Sequence, residues 1–189
     1  MPPAAVPTGN DSDPAVNEAI RSRILWAIPG VPALAMSGQT TVAFDIGSEV
    51  LAEHMRFGGD IGTSSPGIHL VTLGFALQEQ GEFAKANEVL TLGYEASSRS
   101  GGLLGQAWFG LSLGRLAMLT AQPQIARRWA KEVLAVTAAN RWLGARQLAL
   151  PTLAGASALL GDMETARRAM AEATTHQGKF NFLLPDRPR

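Results

Sequence analysis

The sequence predicts an all-α fold in which antiparallel helix pairs stack as a solenoid of about eight helices. Three observations predict this fold. A short motif recurs about every 40 residues, apolar residues make up 46% of the chain against 17% charged residues, and aromatic residues contribute only 6% while alanine is frequent. A chain of this composition buries enough apolar surface to fold, and its small side chains favour closely packed helices.

The repeat places an alanine at a fixed distance after a turn. It occurs four times, as Gly38–Ala43, Gly81–Ala86, Ala121–Ala126 and Gly161–Ala166, and the final alanines are 43, 40 and 40 residues apart. A small residue preceded by leucine lies twelve residues before each of the last three alanines, at Gly74, Gly114 and Ala154. Because two helices approach most closely where both carry small side chains, we expect three close pairs: Gly74 with Ala86, Gly114 with Ala126, and Ala154 with Ala166.

The elements follow from this register, since glycine at the turn ends one helix and a polar residue or proline begins the next. Residues 1–13 are expected to form a disordered tail, 14–178 the helical repeat domain and 179–189 a C-terminal tail. The expected helices are 14–36, 40–56, 67–80, 83–98, 103–120, 123–139, 142–160 and 163–177. Pro29-Gly30 should kink the first helix, and Pro151 should kink the seventh or divide it in two.

Composition also limits the compartment and the chemistry. The chain has no cysteine, which excludes disulfide scaffolds, thiolate nucleophiles and cysteine-based zinc sites. No signal peptide is recognisable at the start. The most apolar early run, Ile24–Met36, is 13 residues long and contains Pro29, Gly30 and Pro32, so it is too short and too broken to span a bilayer. A cytoplasmic protein is expected.

The spacing of small residues resembles the tetratricopeptide repeat, here in a longer form of about 40 residues. This longer form resembles the repeat region of bacterial LuxR-type transcriptional regulators related to the maltose-operon activator. The segments that carry the resemblance are Leu113–Ala121, Ile125–Ala130 and Gly161–Ala173. The resemblance implies a segment that senses an effector or serves as a scaffold in transcription regulation.

Full-length regulators of that type also contain a nucleotide-hydrolysing domain and a helix-turn-helix domain, and neither is recognisable in these 189 residues. The nearest candidate for a phosphate loop, Ala33–Thr41, lacks the first glycine and has Gln39 where a lysine would reach the phosphates. The resemblance therefore implies a fragment, a split gene product or a remnant.

No residue pattern favours catalysis, a cofactor or a metal. Gly58–Gly62 could cradle a phosphate through backbone N–H groups, but no Lys or Arg follows to hold the anion, and such a run is more often a flexible connection between two helical pairs. The histidines, His54, His69 and His176, are far apart in sequence, and Glu53 and His54 point about 100° apart on a helix. We expect a non-enzymatic protein without a cofactor or a metal.

The tryptophans and one arginine indicate where a ligand could bind. Trp26, Trp129 and Trp142 are expected in the core, as is usual for large residues at helical spacing. In the tetratricopeptide register Trp108 lies on the first helix of a pair, at a position that usually faces the concave groove. Arg115 follows two turns later on the same face of that helix. Gln78 and Glu79 are polar residues on the corresponding helix one repeat earlier. Trp108 could equally fill the contact with the previous repeat.

Charge is distributed unevenly, although the net charge is zero. Residues 1–98 carry −7, residues 99–146 carry +6 and the remainder carries +1. This division, together with Phe180, Phe182, Leu183 and Leu184 in the last residues, predicts weak, salt-sensitive self-association or dependence on a partner. Solvated helix faces and a tail that caps the last pair are the alternatives.

The function expected from the sequence is binding of a protein, a peptide or a small effector in the concave groove. A small-molecule pocket protein, or a remnant without its own activity, is the alternative. Direct nucleic-acid binding is not expected, because the net charge is zero and basic residues do not alternate with aromatic ones. Membrane association is not expected either.

Overall fold

The computed structural model describes residues 14–57, 67–140 and 142–177, and in these ranges it contains eight α-helices and no strand. The helices are α1 (Pro14–Met36), α2 (Thr40–Phe57), α3 (Ile68–Glu79), α4 (Phe83–Arg99), α5 (Leu103–Leu119), α6 (Pro123–Asn140), α7 (Leu143–Leu159) and α8 (Met163–Gln177). The all-α prediction is confirmed, and every helix boundary lies within one residue of the predicted one. The two expected tails, 1–13 and 179–189, and the candidate phosphate cradle Gly58–Gly62 lie outside the described residues.

The chain forms two compact units, residues 1–105 and 106–189. In the first unit α1 packs against α2 and α3, and α3 packs against α4. In the second unit α7 packs against both α6 and α8. These contacts join helices that are one or two elements apart in sequence, as in stacked helix pairs. None of the described helices is long and apolar enough to cross a membrane.

The same turn ends five of the helices. A residue with positive φ follows each of them by two positions, at Gly38, Gly81, Gly101, Ala121 and Gly161. The next residue donates its N–H to a carbonyl five positions earlier, as in Glu82 to Leu77 at 2.9 Å and Asp162 to Ser157 at 2.9 Å. This Schellman arrangement satisfies carbonyls at the helix end. Ala121 adopts φ 56° although it is not a glycine. The same turn therefore forms even where alanine replaces the glycine that usually occupies this position.

The repeated alanine has a fixed place after each turn. Each of these alanines donates its backbone N–H to the carbonyl four residues earlier, which closes the first turn of the second helix of a pair. The four residues are Ala43, Ala86, Ala126 and Ala166. All four are buried. The sequence repeat is therefore a repeat of one turn and one helix start, and its alanine faces the interior each time.

The small residues of the first helix in each pair allow close helix contacts. A Cβ added at Gly114 would lie 3.9 Å from the Ala126 carbonyl oxygen, as expected for that pair. A Cβ added at Gly74 would lie 2.4 Å from Leu90 Cδ2. Leu90 lies one turn beyond Ala86, and its longer side chain fills the space above the glycine. Ala154 and Ala166 are both buried, and Ala154 belongs to a cluster with Ala169 and Ala173.

The prolines inside helices do not divide them, since α1 continues through Pro29 and Pro32 and α7 through Pro151. Pro32 has no N–H to donate to the Ile28 carbonyl four residues earlier. The Thr72 hydroxyl of α3 lies 3.3 Å from that oxygen and 2.8 Å from the carbonyl of His69. A side chain of the neighbouring helix thus supplies a hydrogen-bond donor where proline has none. Of the two outcomes expected for Pro151, the division of α7 into two segments is not observed.

Candidate binding surfaces

The predicted binding residues Trp108 and Arg115 lie on α5, in the second unit. Both are partly exposed, whereas Phe109, Ser112 and Leu113 between them are buried. Seven residues separate Trp108 from Arg115, which is two helical turns, so both lie on one side of the helix.

Leu119, 47% exposed, continues this side one turn beyond Arg115. The side of α5 formed by Trp108, Arg115 and Leu119, here called the α5 face, combines apolar surface with one cation. An apolar segment that carries a carboxylate fits these groups, because a guanidinium donates two parallel hydrogen bonds to a carboxylate.

The other two candidates, Gln78 and Glu79, lie at the end of α3 in the first unit. Glu79 is exposed, but Gln78 is only 4% exposed. Consecutive residues on a helix point about 100° apart, so the two side chains cannot face the same surface. Gln78 therefore offers little surface to a ligand.

Trp26 corrects the expectation for the tryptophans, because its side chain is 52% exposed on α1 and does not lie in the core. Its ring lies over Gly30, where an added Cβ would come within 2.7 Å of ring atoms Cε2 and Cζ2. The missing side chain at position 30 therefore lets the indole lie flat along the helix. The other tryptophans are partly buried. Trp142 packs against Ala107, Val133 and Ala149, and the ring of Trp129 has the Arg128 guanidinium 5.5 Å from its centroid.

Trp26 belongs to a larger apolar surface on α1. From position 25 to the end of the helix every exposed residue is uncharged, and together they form what is here called the α1 platform: Leu25, Trp26, Pro29, Ala33 and Met36. Leu25 is 53% exposed and Met36 is 60% exposed. The opposite side of the helix carries buried residues at Ile24, Ala27, Val31 and Ala35. Sequence reasoning missed this platform, although the glycine four residues after Trp26 was a usable signal.

A second apolar surface lies on α7, in the second unit. The exposed residues of α7 whose side chains the structure describes are all uncharged: Gly144, Leu148, Pro151, Ala158 and Leu159, here called the α7 face. Leu159 is 67% exposed and Leu148 is 55% exposed. Monomeric proteins rarely expose large contiguous apolar patches unless they bind something. The α7 face is therefore a candidate interaction surface, as is the α1 platform.

Ion pairs tie neighbouring helices together within each unit. Arg23 of α1 pairs with Glu49 and Glu53 of α2, and Arg146 of α7 pairs with Glu172 of α8. Asp162 accepts a hydrogen bond from the backbone N–H of Thr165 at 3.1 Å, and this bond is the main cause of a lowered pKa of its carboxyl group. These charged side chains therefore have partners within the protein, either on a neighbouring helix or at the start of α8.

Two histidines of the first unit, His54 and His69, are buried and interact electrostatically. His69 is fully buried, and its Nε2 lies 2.8 Å from the carbonyl oxygen of Gly47. That oxygen can only accept, so Nε2 donates and Nδ1 carries no proton. Burial lowers the pKa of His69 to about 4, and the nearby His54 contributes to the lowering. Desolvation of this size keeps His69 neutral near pH 7.

The structure describes part of the residues that were considered for metal or phosphate binding. No group of three His, Asp or Glu side chains there could hold a metal ion. Ala33–Thr41, rejected above as a phosphate loop, spans the end of α1, a turn with Gly38 at φ 87° and the start of α2. A shallow pocket of about 170 Å³ between α2 and α4 is lined by Thr41, Phe44, Lys85 and Glu88. Ligand pockets typically begin near ~300 Å³.

Comparison with known proteins adds no further assignment, because no protein family, curated protein or solved structure matches the chain.

Proposed function

We propose that this protein is a non-enzymatic helical-repeat binding module, similar to the sensor or scaffold segment of a LuxR-type regulator. It binds a protein segment, a peptide or a small effector in the cytoplasm, at the α5 face. The observation that carries the proposal is the placement of Trp108 and Arg115 two turns apart on one side of α5, both partly exposed between buried neighbours. Tryptophan and arginine are the residues most often found as anchors of binding interfaces.

The charge of this region favours an acidic partner. Residues 99–146 carry seven Lys and Arg against one Glu, or +6. A surface of one sign attracts ligands of the other and raises their rate of association. We therefore propose an acidic peptide or protein segment with at least one large apolar side chain. The apolar side chain would pack on Trp108 and Leu119, and its carboxylate would pair with Arg115.

The test uses the full-length protein and overlapping fluorescent peptides from the proteins encoded beside its gene. At least one acidic peptide should bind saturably by fluorescence anisotropy. Trp108→Ala and Arg115→Ala should each weaken that binding about tenfold or more, since anchor residues contribute more than about 1–2 kcal/mol. Arg168→Ala is the matched control, because Arg168 is exposed on α8 and outside the α5 face. Binding that is unchanged in both α5 variants would contradict the proposed site.

The non-enzymatic part of the proposal has its own test. The purified protein should not hydrolyse ATP above a buffer blank and should not retain zinc after dialysis. ATP turnover that a single substitution within this chain abolishes would show instead that the protein is an enzyme.

A further inference from the structure

The α1 platform and the α7 face are apolar surfaces of similar character, one on each unit of the chain. The α1 platform has leucine, tryptophan, proline and methionine side chains, and the α7 face has two leucines and a proline. Leu25, Trp26 and Met36 are each more than half exposed, as are Leu148 and Leu159. Neither surface has an exposed charged residue within it, so two such surfaces can meet without burying an unpaired charge.

The charges of the two units determine which surfaces can pair. The first unit, residues 1–105, carries five Lys and Arg against eleven Asp and Glu, or −6. The second unit, residues 106–189, carries eleven against five, or +6. Two first units repel each other, and so do two second units, whereas a first unit and a second unit attract.

The side chains that flank the two surfaces add little to this selection. Glu18 lies seven residues before Leu25 on the same side of α1, but the exposed Arg21 lies there as well, four residues before Leu25. Arg167 is exposed between Met163 and Met170 on α8, which packs against α7. The selection between the two surfaces therefore follows from the net charges of the two units.

We propose that the protein associates head to tail, the α1 platform of one copy docking on the α7 face of a second copy. Apolar contact provides the attraction at the centre, and the opposite charges of the two units select this pairing over contacts between like surfaces. The two docking surfaces differ, so the contact is heterologous and each new copy leaves one α1 platform and one α7 face available. The assembly therefore grows beyond a dimer as the concentration rises, or closes into a ring. This proposal does not rest on the α5 face.

The wild-type protein should show a weight-average mass in sedimentation that increases with concentration at 50 mM NaCl. The increase should be smaller at 0.5 M NaCl, because salt screens charge interactions beyond a Debye length of about 10 Å at 0.1 M and less at higher concentrations. A strict monomer at both salt concentrations and at high protein concentration would overturn the proposal.

Two variants separate the two surfaces. Leu25→Asp blocks the α1 platform and Leu159→Asp blocks the α7 face, and both positions are exposed, so the fold should tolerate the change. Each variant alone should be monomeric. An equimolar mixture should form a 1:1 dimer, because the Leu25→Asp copy keeps an intact α7 face and the Leu159→Asp copy keeps an intact α1 platform. Ala84→Asp and Ala138→Asp are matched controls at exposed positions of α4 and α6, one in each unit. Both should associate like the wild type, and equal helical circular dichroism should verify the fold of all four variants.

Other occupants of these surfaces give different results. A symmetric contact between two α1 platforms predicts that Leu159→Asp still dimerises and that the mixture gains nothing. If the segment after Gln177 covers the α7 face of its own chain, the wild type is monomeric and Phe182→Asp promotes association. Either result, or a mixture that stays monomeric, would overturn the head-to-tail contact. Loss of peptide binding at the α5 face with intact self-association would count only against the proposed function.

Discussion

Replacing Gly74 by alanine tests whether the missing side chain at this position sets the distance between α3 and α4. The new Cβ would lie 2.4 Å from Leu90 Cδ2 and 2.6 Å from Leu90 Cγ. Carbon atoms in favourable contact are about 3.5–4.0 Å apart, so the overlap exceeds 1 Å by this comparison. Leu90 is fully buried and cannot turn outward into solvent. Either the leucine leaves its preferred rotamer or the two helices separate.

The expected cost combines two opposing effects. Overpacking of a buried contact destabilises a protein by about 1–3 kcal/mol. Alanine in place of glycine within a helix stabilises the helix by up to about 1 kcal/mol. Gly74→Ala should therefore lower the free energy of unfolding by about 1–2 kcal/mol, measured by urea denaturation and circular dichroism at 222 nm. Gly144→Ala is the matched control. A Cβ at Gly144 meets nothing within 4 Å, so that variant should be as stable as the wild type or slightly more stable.

A double variant identifies the cause. Leu90→Ala alone should cost about 2–5 kcal/mol through the cavity that it leaves. In Gly74→Ala/Leu90→Ala the new methyl group enters that cavity, so the double variant should lose less stability than the two single variants added together. Additive effects within about 0.5 kcal/mol, or a Gly74→Ala protein as stable as the wild type, would refute the reasoning from this contact.

Three further predictions concern buried and strained groups. Lowering the pH from 6.5 to 4 should lower the free energy of unfolding by up to about 3 kcal/mol through His69. The pKa of His69 is lowered from 6.5 to about 4, so the unfolded state binds more protons in this range. Urea titrations should show a smaller loss in His69→Gln, and an equal loss would exclude His69 as the cause. Ala121→Gly should raise the free energy of unfolding by about 1 kcal/mol, since φ 56° is costly for any residue with a Cβ; a lower melting temperature would contradict this. Thr72→Val should cost about 1 kcal/mol by removing the hydroxyl that lies 2.8 Å from the His69 carbonyl and 3.3 Å from the Ile28 carbonyl; unchanged stability would show that neither contact of this hydroxyl contributes.

The helix boundaries were predictable because the signals that set them are local. Gly38, Gly81 and Gly161 end helices through positive φ, which glycine adopts without strain. Ala121 was placed correctly only because the other three repeats defined its register. The continuity of α7 through Pro151 was not predictable in this way, because proline weakens a helix locally while tertiary packing decides whether it continues. The rescue of the Ile28 carbonyl by Thr72 spans 44 residues, and no sequence pattern indicates such a contact.

The surfaces were less predictable than the fold. Periodicity identified the side of α5 that carries Trp108 and Arg115, but it could not show that Gln78 is buried, since burial depends on which helices lie nearby. Trp26 was expected in the core because large apolar side chains usually are. Its exposure results from a position on α1 opposite to the buried row at Ile24, Ala27 and Val31. The sequence Pro29-Gly30 indicates a kink, and it does not by itself indicate that Gly30 leaves space for the indole of Trp26.

The packing of each helix against its sequence neighbours has a consequence for the order of folding. In the first unit, α1 contacts α2 and α3, and α3 contacts α4, so few residues separate the partners of these contacts along the chain. Short separations reduce the entropy lost in closing loops and give fast folding. A chain emerging from the ribosome at about 5–20 residues per second leaves seconds between one pair and the next, whereas proteins rich in local contacts fold in microseconds to milliseconds. The first unit can therefore complete its core while the residues of α7 and α8 are still being added.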